Sequence, residues 1–102
     1  MKESCRKYLS EQFGDDQDVI AEIYAEYKNT IVDKMVEIEA ALASRDWLAL
    51  DRAAHAVKGC AFAAGDNEIA EVAIELRQAA RLQGDEKAKA EIDRMKSLKE
   101  ML

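Results

Sequence analysis

The sequence has no proline, and its only glycines stand at positions 14, 59, 65 and 84. Such scarcity of turn-formers argues against a β-rich chain of many short strands and favours a few long helices with short connections. Cysteine is limited to Cys5 and Cys60, far apart and without a CxxC pair, so no redox or zinc motif is spelled out. A structural disulfide is not expected in a cytosolic chain, and Cys60 reads as a small core residue. Positive charge is in deficit: 15 Lys and Arg against 21 Asp and Glu leave a net charge of −6. That balance disfavours a nucleic-acid surface and an anionic membrane surface alike. No apolar run reaches the length of a membrane span, and Met1 to Lys7 leads into no apolar leader segment. A single cytoplasmic domain over residues 1–102 is expected.

What is present is helical periodicity. A short helix is expected from about Glu3 to Phe13, ended by Gly14. Asp15 or Asp16 can cap a second helix. Ile20, Tyr24, Tyr27, Ile31, Met35, Ile38 and Leu42 then recur at steps of three and four, an apolar stripe along that helix. Asp46 caps a third, with Trp47, Leu50, Ala54, Val57, Ala61 and Ala64 inward, and Gly65 ends it. Asp66 or Asn67 opens a fourth carrying Ile69, Val72, Ala73, Leu76, Ala79 and Ala80 inward, which ends around Gly84. Asp85 opens a fifth with Ala88, Ile92, Met95, Leu98 and Leu102. The expected fold is all-α: an antiparallel up-down four-helix bundle with a short additional N-terminal helix.

His55 is the only histidine. At about 100° per residue it lies opposite the inward stripe of the third helix, together with Asp51, Lys58 and Phe62. Gly59 stands mid-helix, where glycine costs about 1 kcal/mol relative to alanine. His55, Lys58 and Gly59 share one face. An imidazole, a cation one turn away and a missing side chain suit a bulky partner that brings a phosphoryl group down to the ring. A lone histidine is also commonly an ordinary surface residue, and the residues alone leave both readings open.

Other chemistries fit poorly. No GxSxG elbow is present for a nucleophilic triad. A di-iron bundle needs Glu-x-x-His on two helices, whereas Arg52 stands three before His55 and no second histidine exists. No glycine loop for ATP phosphates appears, so autonomous kinase activity is not expected. His55 as a nucleophile for a group delivered by another protein remains.

His55-Ala56-Val57-Lys58-Gly59, with Gly65 ten residues after the histidine, resembles the signature of histidine-containing phosphotransfer (HPt) domains. Phe13-Gly14-Asp15-Asp16, Asp46-Trp47-Leu48, and Leu76 through Gly84-Asp85 resemble the family's pattern elsewhere, so the likeness covers nearly the whole chain. It implies a four-helix bundle that carries a phosphoryl group between receiver domains in two-component signalling. By position, His55 would accept the group on Nε2, Lys58 would screen its charge as a point-charge donor, and Gly59 would leave room for the receiver.

The chain departs from the family's pattern twice. Ala64 stands where leucine is frequent, a change in packing. Arg77 stands at the fourth-helix position facing the histidine, where glutamine or glutamate is frequent, with Arg81 one turn on. An arginine has no acceptor for an imidazole N–H. Arg77 and Arg81 either contact the phosphoryl group or a receiver's acidic pocket, or are solvated residues paired with carboxylates. Asp51 either hydrogen-bonds His55 Nδ1 or is solvated or ion-paired within its own helix, and Phe62 is read as a contact residue. Arg52, Lys58, Arg77 and Arg81 together would form a basic patch suited to an acidic receiver pocket. The expected partners are response-regulator receiver domains, and a sensor histidine kinase where the chain serves as a detached phosphoryl-accepting domain. No cofactor is expected on this chain, magnesium belonging to the receiver, and the protein is expected to be monomeric. The rival reading is an adaptor bundle that binds a regulator without accepting phosphate.

Overall fold

The computed structural model describes residues 1–102 as five helices and no strand: α1 Glu3–Phe13, α2 Gln17–Ala43, α3 Trp47–Ala63, α4 Asn67–Arg81 and α5 Asp85–Glu100. Helix α2 packs on α3 and α5, α4 packs on α3 and α5, and so α2 to α5 close into an antiparallel bundle, with α1 laid against α2. The expected architecture is the observed one.

Three helices begin in the same way. Asp16, Asp46 and Asp66 each accept the backbone N–H three residues on, from Val19 at 3.2 Å, Ala49 at 3.1 Å and Ile69 at 3.3 Å. An aspartate there satisfies one of the four orphan donors of a helix start and places negative charge at the positive end of the dipole. The turns between the bundle helices also share one design. Asp46, Asp66 and Gly84 return their N–H to Ala41, Ala61 and Ala79, five residues back, at 2.8–2.9 Å. The residue before each, Arg45, Gly65 or Gln83, has positive φ. This is the Schellman closure. Only Gly65 meets the demand without a Cβ, and it has a second reason: a Cβ there would run into the Tyr8 side chain from α1.

The core follows the stripes. Ile20, Tyr24, Tyr27, Ile31, Met35 and Ile38 of α2 are buried, with Leu42 half-buried at its end. Between α3 and α4 the interior is mostly alanine: Ala53, Ala54, Ala61, Ala70, Ala73, Ala79 and Ala80. Small side chains let these two helices approach closely, and they make the most extensive contact in the bundle. Cys60 departs from its expected place. It is half-buried in the groove between α2 and α3, because its direction on α3 falls at the edge of the inward stripe.

One end of the bundle is tied by a polar network. Asp66 is fully buried, and its carboxylate takes the Lys2 ammonium at 2.6 Å and the Tyr27 hydroxyl at 2.7 Å. The Lys2 backbone N–H donates to the Tyr24 hydroxyl, which donates to the Leu102 carbonyl, both at 3.2 Å. Burial pushes the Tyr27 hydroxyl well above its ordinary pKa of 10.0, and its donation to Asp66 pushes it further. For Lys2 burial pulls the other way, but the hydrogen bonds and charges of Asp66 and Glu68 outweigh it and raise the ammonium above 10.5.

Candidate functional site

Helix α3 turns its alanine-rich side into the bundle, which leaves a continuous outer face. His55 lies on it, exposed, and its side chain makes no hydrogen bond or ion pair with the rest of the chain. Arg52 and Gly59 are exposed beside it, and Lys58 is half-buried, without a carboxylate partner. The Lys58 ammonium is thus uncommitted one turn from the imidazole.

Gly59 is the most telling position. It sits inside regular α-helix, and a Cβ built on it meets nothing within 4 Å. Internal packing therefore gives no reason to omit a side chain there. The space beside His55 is open to whatever lies outside the chain.

Two large apolar side chains flank the histidine. Phe62 is 46% exposed and Leu48 is 60% exposed. Each is seven residues from His55, about 10 Å along the helix at 1.5 Å per residue. The 48–55–62 spacing puts all three on one line of the outer face. The sequence brings out Leu48 only within Asp46-Trp47-Leu48 at the helix opening, and not as a contact residue. The signal that could have found it is the same seven-residue step that brings out Phe62. Phe62 also borders a groove lined by Lys7, Tyr8 and Glu11 of α1, a neighbour the sequence did not announce.

On the α4 side, Asp51 does not engage His55. Its Oδ1 accepts a hydrogen bond from Arg77 Nε at 2.8 Å, and Arg81 Nε lies 3.8 Å from Oδ2. The reason is directional: Asp51 leans toward the α3–α4 seam, where Arg77 crosses from the facing helix. Arg77 and Arg81 of α4 thus gather at Asp51, one turn from the histidine on α3, although the protein is acidic overall. Five clefts of the molecule are lined by residues other than His55. No group of three or more His, Cys, Asp or Glu side chains converges in a way that could hold a metal ion. No helix is long and apolar enough to cross a membrane.

The site is an exposed imidazole on the outer face of α3, with a glycine gap beside it, an exposed apolar side chain two turns away on either side, and two arginines of α4 drawn to Asp51 at the seam. The sequence pattern agrees with that geometry. The model of the Hpt domain family matches residues 22–102, and the chain belongs to this family, whose members serve phosphoryl transfer in two-component signalling. The match begins within α2, so α1 lies outside it. Neither the curated proteins nor the solved structures compared with the chain include a match.

Proposed function

We propose that this chain is a phosphorelay carrier: His55 accepts a phosphoryl group from the aspartyl phosphate of a receiver domain and hands it to a second receiver. The observation that carries the reading is Gly59, a mid-helix glycine one turn from an exposed, unpartnered imidazole, with no packing reason of its own. An adaptor surface would gain helix stability from alanine there. A surface that must admit a receiver's phosphorylated loop to within bonding distance of the ring would not tolerate a longer side chain.

In the transfer, the Nε2 lone pair bonds to phosphorus as the phosphorus–oxygen bond to the receiver's aspartate breaks, and the aspartate leaves as carboxylate. The proton on Nδ1 stays until it is released to water. The surrounding chain supplies position and charge more than covalent chemistry. Lys58 meets the charge of the incoming group, Arg52, Arg77 and Arg81 steer the receiver's acidic pocket, and Phe62 and Leu48 supply apolar contact at either end. The reverse sequence discharges the carrier to the next receiver. The protein acts in the cytoplasm as a monomer, without a nucleotide site of its own.

The test is direct. The protein is incubated with a phosphorylated receiver domain or a small-molecule phosphodonor, and label is sought that is acid-labile and base-stable. Label on His55, lost in His55→Gln with the fold intact, is the expected result. Equal labelling of His55→Gln, or no label from any of several donors, would leave the adaptor reading in its place.

A further inference from the structure

The ion pairs of Asp51 are the only ones that join α3 to α4. Such pairs at a partly exposed seam add little stability, so their position invites a functional account. Asp51 is one turn before His55 on α3. Once His55 carries a phosphoryl group, with about −1.5 to −2 charges, a carboxylate one turn away is an electrostatic liability, because like charges at this spacing repel. Arg77 lies between the helices where it can answer both anions. Its side chain and that of Asp51 are only 20% and 22% exposed, so the pair is held in place, whereas Arg81 is 61% exposed and too far from Asp51 for a hydrogen bond. Arg77 engages Asp51 through Nε alone, and its Nη groups make no hydrogen bond within the chain. A planar guanidinium anchored along one edge presents its remaining donors in a fixed direction.

We propose that Asp51 is a positioning residue that fixes the Arg77 guanidinium beside His55, so that in the phosphorylated protein Arg77 bridges the carboxylate and the phosphoryl group. The inference rests on the reading of His55 as the phosphoryl acceptor and adds a charge device particular to this chain. Lys58 and Arg77 then approach the phosphoryl group from different helices, one as a point charge and one as an oriented fork.

The experiment uses the full chain and phosphoramidate, whose phosphorus–nitrogen bond breaks with release of ammonia as the imidazole takes the phosphoryl group. The phosphorus NMR resonance of phosphohistidine is followed against pH in the native protein, Arg77→Ala, Asp51→Ala and the double variant, each checked for native helix content. Bridging by Arg77 stabilises the dianion, so Arg77→Ala raises the titration midpoint by about half a unit, in the range of a charge-assisted contact at a partly exposed site. Removing Arg77 in the Asp51→Ala background has a clearly smaller effect, because the acceptor that held the guanidinium is gone. An unchanged midpoint in Arg77→Ala overturns the bridge. A full Arg77 effect in the Asp51→Ala background overturns the positioning role of Asp51. Absence of any His55 resonance in the native protein would refute the acceptor reading itself, an outcome distinct from both.

Discussion

Tyr27 of α2 donates its hydroxyl to Asp66 Oδ2 at 2.7 Å, joining the second helix to the head of the fourth inside the core. The same carboxylate caps α4 through Ile69 N–H and receives Lys2 from the chain's start. One buried aspartate therefore fixes three segments at once. Tyr27→Phe removes a donor and leaves Asp66 short of a partner in a dry place, which costs about 1–3 kcal/mol. The expected result is a lower urea midpoint with an unchanged slope. A variant as stable as the native protein would show that water or Lys2 replaces the hydroxyl.

The same network sets the response to alkali. Burial raises the pKa of Cys5 above 9.0, of Tyr24 and Tyr27 above 10.0, and the Asp66 and Glu68 partners, working against burial, raise Lys2 above 10.5. In each case the folded chain keeps a proton that the unfolded chain gives up. The contribution is complete below the ordinary value and is lost as pH rises through the folded one. Stability against urea is expected to hold from neutrality to about pH 9 and then to fall steadily, less steeply in Tyr27→Phe. A flat profile well beyond that point would mean that these groups titrate alike in both states.

Gly59 separates stability from function. A Cβ at this position meets nothing, so Gly59→Ala should raise stability by about 1 kcal/mol, seen as a higher Tm. Gly59→Gln should be at least as stable as the native chain and yet slow phosphoryl transfer from a receiver. Normal transfer by Gly59→Gln would refute the idea that the gap admits the partner.

Leu48 and Phe62 separate docking from chemistry. Both are exposed apolar side chains two turns from His55, and neither holds the core. Replacing either with alanine is expected to weaken a receiver complex by about 1–2 kcal/mol, roughly tenfold in Kd. Labelling of His55 by phosphoramidate should be unchanged. Calorimetric titration with a receiver and chemical labelling, run side by side, distinguish a contact residue from one that disturbs the imidazole.

The bundle was legible in the sequence because its information is periodic. The α2 stripe, the aspartates ahead of α2 to α4 and the placement of His55 opposite the α3 core all follow from a step of about 3.6 residues. What stayed hidden is what periodicity does not encode. Lys2 and Asp66 are distant in sequence, and nothing local says that the cap of α4 is buried beneath the chain's start. The turn at Gln83 has positive φ without a glycine, so composition points to the adjacent Gly84. At the site, the outward direction of Asp51, His55 and Phe62 could be read from the helix alone. That Asp51 turns to Arg77 depends on how α4 is set against α3, which alanine packing decides.

The hydroxyl of Tyr24 holds the second and last residues of the chain on a single oxygen, accepting from Lys2 and donating to Leu102. Residues 2 and 102 are therefore neighbours beside α2, whereas the Gln83 turn joins α4 to α5. A short linker can close this chain into a ring, and cutting the ring at the Gln83 turn gives a circular permutant whose ends lie at that turn. The two forms hold a fused domain at different points of the same bundle while leaving every side chain of the histidine face unchanged.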